Sequence, residues 1–119
     1  MVIAGRHEEA ARQSEEKAAQ LKHKLMQLRN LRTEIENKAE AQILALEQTG
    51  RDRVRSLDER IRRLPKSREA EAAFAEAEKA RVELNIRQKV AEITSSKVNA
   101  VKNIESQIAQ VERTIDTLE

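Results

Sequence analysis

Apolar residues in the first half of the chain recur at steps of three and four positions. This spacing places their side chains on one face of an α-helix, the face that packs against a partner helix. Arg32 occupies one position on this face where an apolar residue is expected. We call this face the seam, and its apolar members are Ala18, Leu21, Leu25, Leu28, Ile35, Ala39, Ile43, Leu46, Val54, Leu57, Ile61 and Leu64.

Gly50 interrupts the seam without changing its phase. The interval from Leu46 through Gly50 to Val54 contains two steps of four, which locally unwinds a supercoil. Glycine in a helix interior costs about 1 kcal/mol relative to alanine. Because the seam resumes in phase, we predict one continuous helix over 8–64 with a kink or local loosening near Gly50. Residues 1–7 are predicted to be a flexible N-terminus.

Pro65 is the only proline of the chain. Its ring excludes it from a helix interior and moves the preceding residue out of helical geometry. We therefore predict a hairpin turn over 65–67 and a second helix over 68–119. That second helix has its own seam at Val82, Ile86, Val90, Ile93, Val101, Ile104, Ile108, Val111, Ile115 and Leu118.

The two predicted helices are nearly equal in length and a short turn joins them. Such a connection favours antiparallel neighbours. Folding at Pro65 pairs Leu57 with Phe74, Leu28 with Ile104 and Leu21 with Val111. The predicted fold class is all-α, a two-helix antiparallel coiled-coil hairpin. Two independent helices with separate partners are the alternative.

A second apolar stripe lies to one side of the seam. Its members on the second helix stand seven residues apart, and Leu44 of the first helix falls close to them in the paired register. A hairpin with a single seam leaves this stripe uncovered, so it is a predicted contact with a second copy or with a different helix. We call it the lateral stripe, comprising Leu44, Ala77, Leu84, Ala91 and Val98.

The composition is typical of long helices: 37% of the residues are charged and Phe74 is the only aromatic residue. A mean hydropathy of −0.75 is compatible with disorder, but the regular apolar spacing argues against it. No apolar run approaches the roughly 18 residues that a membrane-spanning helix needs. The expectation is a cytoplasmic protein without membrane contact.

Basic residues concentrate next to the predicted turn. Residues 51–68 carry eight bases against three acids, a net charge of +5, whereas the whole chain carries +2. Charge asymmetry of this kind concerns partners more than fold. We call these bases the basic tip: Arg51, Arg53, Arg55, Arg60, Arg62, Arg63, Lys66 and Arg68.

The sequence offers no constellation for catalysis. Gly5 and Gly50 are isolated, so no phosphate-binding loop is present. His7 and His23 lie sixteen positions apart, without the spacing that puts two metal ligands on one helical face. The chain contains no cysteine. We predict no enzyme activity, no catalytic residue, no metal site and no cofactor.

The primary functional hypothesis is a helical-hairpin interaction or adaptor protein, scaffold-like or stalk-like, that presents the basic tip to an acidic protein surface. Arginine binds carboxylates and phosphates with two hydrogen bonds, so sequence-independent binding to a nucleic-acid backbone is an alternative. No aromatic residue stands among these arginines, which argues against base stacking. A self-assembling coiled-coil scaffold subunit, a homo-oligomer through the lateral stripe, is the other alternative. A tip that is merely solvated also stays open.

No residue motif assigns the chain to a family. In architecture alone the predicted hairpin resembles the small hairpin stalk proteins of type III secretion and flagellar export, which engage a hexameric ATPase. It also resembles the protruding hairpin arms of some RNA-binding proteins. The first resemblance implies a protein partner and the second implies RNA. Neither assigns a role to any residue.

Overall fold

A computed structural model of the chain consists of two α-helices. Helix α1 spans Val2–Arg63 with 62 residues, and helix α2 spans Glu69–Leu118 with 50 residues. The structure describes residues 2–119, with side chains from His7 onwards. Most of the predicted flexible N-terminus therefore lies outside the residues with described side chains, and Met1 lies outside entirely. The predicted all-α antiparallel hairpin is confirmed.

Helix α1 ends, and helix α2 begins, within one residue of the positions predicted for the turn. Leu64 follows the last residue of α1 and donates its backbone N–H to the Ile61 carbonyl at 3.2 Å. Pro65 cannot continue the helix because it has no N–H and its ring clashes with the preceding turn. Arg68 caps α2, since its carbonyl accepts the first helical hydrogen bond from the Ala72 N–H at 3.1 Å.

The charges at both sides of the turn suit the helix dipoles. The last turn of α1 carries Arg60, Arg62 and Arg63, and the first turn of α2 carries Glu69 and Glu71. Basic side chains near a helix C-terminus and acidic ones near an N-terminus each stabilise the helix by about 0.3–1 kcal/mol when exposed. The turn is thus favoured by charge as well as by the proline.

The chain divides into two compact units, each built from both helices. The unit that we call the terminal unit comprises the chain up to Glu36 and from Val98 onwards. Its core consists of large aliphatic side chains, and the partly buried Leu21, Leu25 and Ile35 pack against them. This arrangement places Leu28 with Ile104, and Leu21 with Val111, in one cluster as predicted. The buried members are Leu28, Ile104, Ile108, Val111 and Ile115.

The other unit, which we call the turn unit, comprises Asn37–Lys97. Its buried positions are mostly small residues: Ala39, Gly50 and Ala75 accompany a single large side chain, Leu57. Leu57 is only 2% exposed, the lowest value among the buried hydrophobic residues. Small residues at a helix interface let the two backbones approach closely, and half-buried aliphatic side chains such as Val54, Ile61 and Ile86 complete the packed faces of this unit.

Phe74 departs from the predicted pairing with Leu57. Its side chain is 70% exposed, and the neighbouring Ala75 is buried instead at 3%. One residue along an α-helix rotates the side chain by about 100°, which carries Phe74 off the packed face. The predicted pair is therefore wrong, and alanine occupies the seam at this level.

The predicted seam is otherwise confirmed on both helices. Every apolar position of the two predicted series is buried or half-buried. Arg32, the polar member of the α1 seam, is half-buried and faces Glu105 at an N–O distance of 3.9 Å. The periodicity of the sequence therefore marks the packed face along both helices.

Helix α1 continues through Gly50 without interruption. Gly50 is buried, and a Cβ atom added to it would lie 2.9 Å from Cγ1 of Ile86 and 3.4 Å from Cδ1. In proteins a Cβ atom essentially never lies closer than 3.0 Å to a non-bonded heavy atom of a residue elsewhere in the chain. Close approach of α2 thus explains this glycine, whereas the predicted kink stays a prediction.

Candidate interaction site at the basic tip

The eight bases of the basic tip all belong to the turn unit, and all are exposed. Six of them lie on the C-terminal part of α1, Lys66 lies in the turn and Arg68 caps α2. The hairpin therefore gathers them at its closed end. None of their side chains is buried in the seam.

Three of these bases are engaged within the hairpin. Arg53 forms an ion pair with Glu78 across the two helices. Arg68 pairs with Glu71 within the first turn of α2 at 3.2 Å. Arg51 donates a hydrogen bond to Oε1 of Gln48 at 3.2 Å. These contacts hold the tip together locally.

The other five bases have no acidic partner in the described part of the chain. No carboxylate of residues 7–119 lies within 4.0 Å of the charged nitrogens of these side chains. Their charge is thus not compensated by direct ion pairs and can attract an anionic partner. They are Arg55, Arg60, Arg62, Arg63 and Lys66.

A groove of about 490 Å³ runs beside the seam of the turn unit at Gly50. Arg51, Arg55 and Arg62 line it from α1, and Arg87 lines it from α2. The spacing of the three α1 arginines, four and seven positions, already places them near one helical face. The contribution of Arg87 could not be found from the basic run, because it depends on the register between the helices.

The lateral stripe is exposed at all five of its positions. Leu44 and Leu84 are each 55% exposed in the turn unit. Val98 is 40% exposed and begins the second segment of the terminal unit. The hairpin therefore leaves these side chains uncovered, as the sequence predicts. Self-association through them stays a prediction.

Lys79 and Asp58 form an ion pair across the turn unit, with 2.9 Å between Nζ and Oδ1. The hydrogen bond and the charge of Asp58 raise the pKa of Lys79 above its ordinary value of 10.5. Glu76 and Glu83 contribute further in the same direction. The pair therefore favours the protonated lysine in the folded chain.

This ion pair predicts a specific loss of stability at alkaline pH. A pKa raised by folding stabilises the folded state fully below pH 10.5, and the stabilisation disappears as the pH rises through the folded value. We expect the unfolding free energy of the wild type to fall more steeply above pH 10.5 than that of Lys79→Met. Urea denaturation at a series of pH values measures both slopes.

Lys102→Met is the matched control, because Lys102 is exposed and belongs to no ion pair among the described residues. Above pH 10.5 its unfolding free energy should change with pH as steeply as that of the wild type. Equal slopes for all three proteins would show that Asp58 does not stabilise the charged lysine.

Other chemistry is sparse in the described residues. His7 and His23 are exposed, and no three His, Asp or Glu side chains among residues 7–119 converge to hold a metal ion. Neither α1 nor α2 contains an 18-residue stretch apolar enough to cross a bilayer.

Comparison with protein-family models, with curated proteins and with solved structures found no match.

Proposed function

We propose that this chain is a non-catalytic helical-hairpin interaction module that binds an acidic protein surface through the basic tip. The observation that carries this proposal is the set of five tip bases without a carboxylate within 4.0 Å among residues 7–119. Arg60, Arg62 and Arg63 also complement the dipole of α1, but that interaction occupies none of their hydrogen-bond donors. The donors of all five bases are therefore available to a partner.

Arginine chemistry supports a carboxylate-bearing partner. A guanidinium group forms two parallel hydrogen bonds with one carboxylate, and its rigid fork loses little freedom in doing so. The helices that carry the tip are packed along the seam, so the backbone positions of the bases are fixed before the partner binds. Preorganisation of this kind lowers the entropic cost of association.

Charge reversal of three tip arginines tests the proposal. We expect Arg60→Glu, Arg62→Glu and Arg63→Glu together to abolish capture of a protein partner from nuclease-treated lysate, with bound proteins identified by mass spectrometry. Helicity by circular dichroism should stay near that of the wild type, because the three side chains are exposed and their interaction with the α1 dipole is small beside the packing of the seam. The retained protein should also elute with rising salt, since exposed charges are screened.

The matched control reverses three exposed bases of the terminal unit that form no ion pair within the described chain: Lys17, Lys102 and Arg113. It changes the net charge equally and should keep the partner. Equal loss of partner capture in both triple variants would show that capture depends on the overall charge of the chain and not on the tip. Loss of helicity in the tip variant would show that the three arginines are needed for folding.

Random-sequence duplex DNA is the second probe in the same series. The proposal is replaced by nucleic-acid backbone binding if only the DNA binds and its affinity depends on salt in the expected way. The expected slope of log affinity against log salt concentration is about −0.9 per phosphate neutralised.

A further inference from the structure

The groove beside Gly50 is an uncovered interface within the turn unit. Gly50, Val54, Val82 and Ile86 lie along it, and all four belong to the packed faces of the two helices. Gly50 is buried, whereas the other three are only half-buried. Apolar surface thus stays open to solvent here, although the same side chains already contribute to the hairpin seam.

The walls of this groove carry a net charge of +1. Arg51, Arg55, Arg62 and Arg87 line it, together with the carboxylates of Glu47, Asp58 and Glu83. One of these, Asp58, is paired with Lys79 of α2. No carboxylate of residues 7–119 lies within 4.0 Å of a guanidinium nitrogen of any of the four.

The opposite side of the seam differs. Arg53 is two residues from both Arg51 and Arg55, so its side chain points about 200° away from theirs around the helix. It pairs with Glu78 of α2, and neither residue lines the groove. An ion pair therefore bridges the helices on each side of the seam, Arg53–Glu78 on one side and Asp58–Lys79 on the other. The second side also has the groove, with an apolar floor and four arginines along its walls.

The shape of the groove suits a third helix. On α1 its lining runs from Glu47 to Arg62, about four turns or roughly 22 Å at 1.5 Å per residue. Helices recognise such grooves with apolar anchors at steps of three and four and with polar residues at their flanks. A nucleic-acid backbone would use the arginines but would leave the apolar floor uncovered.

We propose that this groove binds an acidic amphipathic helix of a partner protein. Its apolar side chains cover Val54, Val82 and Ile86, and its Asp and Glu side chains pair with the arginines of the walls. The proposal rests on the proposed function and specifies where the acidic partner docks. Charge complementarity with the four arginines selects this occupant.

A synthetic peptide tests the groove directly. The probe is a fluorescent peptide of about 18 residues, roughly 27 Å as a helix, with leucines at steps of three and four and glutamates on both flanks. We expect saturable binding by fluorescence anisotropy. In methyl NMR spectra, Val54, Val82 and Ile86 should shift on binding, whereas Ile104 and Ile108 of the terminal core should not.

Two peptide controls separate charge from apolar contact without altering the protein. Replacing every glutamate by glutamine, or every leucine by serine, should weaken binding at least about tenfold each, equivalent to about 1.4 kcal/mol. No binding of the acidic peptide by the wild type, or unchanged binding of either control peptide, would overturn the groove assignment.

Two protein variants with the same charge change locate the site. Arg55→Glu with Arg62→Glu alters the groove, and we expect at least about tenfold weaker peptide binding. Arg60→Glu with Arg63→Glu alters tip bases that do not line the groove, and should weaken binding less than about threefold. An equal loss of peptide affinity in both variants would show that the peptide is attracted to the tip as a whole. In that case the proposed function would stand, but the groove would not be the docking site.

Discussion

Replacing Leu57 with alanine is expected to lower the free energy of unfolding by about 3 kcal/mol, within the usual range of about 2–5 kcal/mol for a buried leucine. Leu57 is 2% exposed and is the one large side chain among the buried residues of the turn unit. Because the other buried residues of this unit, Ala39, Gly50 and Ala75, are small, Leu57 supplies most of its fully buried aliphatic bulk. Urea denaturation followed by circular dichroism measures the loss.

Leu44→Ala is the matched control for this prediction. It makes the same chemical change on the same helix and in the same unit, but Leu44 is 55% exposed. We expect a change within about 0.5 kcal/mol, as for other surface substitutions. A large loss at Leu44 together with a small one at Leu57 would mean that the packed face of α1 has been assigned to the wrong side.

The packed faces and the turn could be predicted from the sequence because their causes are local. Apolar spacing of three and four defines one helical face without reference to any partner, and Pro65 ends a helix wherever it stands. Both signals are carried by side-chain chemistry within a few residues. The confirmed seam positions on α1 and α2 follow from them.

The register between the helices could not be predicted with the same precision. Folding at Pro65 suggested Phe74 as the partner of Leu57, yet Ala75 is buried at this level and Phe74 is 70% exposed. Alanine is compatible with both a packed and an exposed position. An alanine-rich stretch therefore does not indicate which face of the helix packs against its partner. Close helix approach at small residues then outweighs the burial of a single aromatic ring.

The candidate site was predictable only in part for the same reason. The basic run was visible in the sequence, but which of its members are already paired depends on α2. Arg53 meets Glu78, and Arg87 joins the groove wall, only once the register is known. The groove floor was equally hidden, since Val54 and Ile86 are seam residues that a sequence pattern assigns to the interior.

Gly50→Ala is expected to destabilise the hairpin by about 1 kcal/mol, although alanine gains about 1 kcal/mol of helix propensity over glycine. The added Cβ would lie 2.9 Å from Cγ1 of Ile86, an atom near the base of that side chain that cannot rotate away freely. Overpacking of this kind costs about 1–3 kcal/mol, and a cost near 2 kcal/mol gives the net loss. Urea denaturation of the single variant measures it.

The same substitution should change sign when Ile86 is alanine. Ile86→Ala removes the Cγ1 and Cδ1 atoms that the new Cβ would meet, so only the gain in helix propensity remains. In that background we expect Gly50→Ala to stabilise the hairpin by up to about 1 kcal/mol, and a double-mutant cycle should give a coupling of about 2 kcal/mol. If Gly50→Ala stabilises both backgrounds equally, the added methyl group meets no steric resistance and the glycine does not mark close approach.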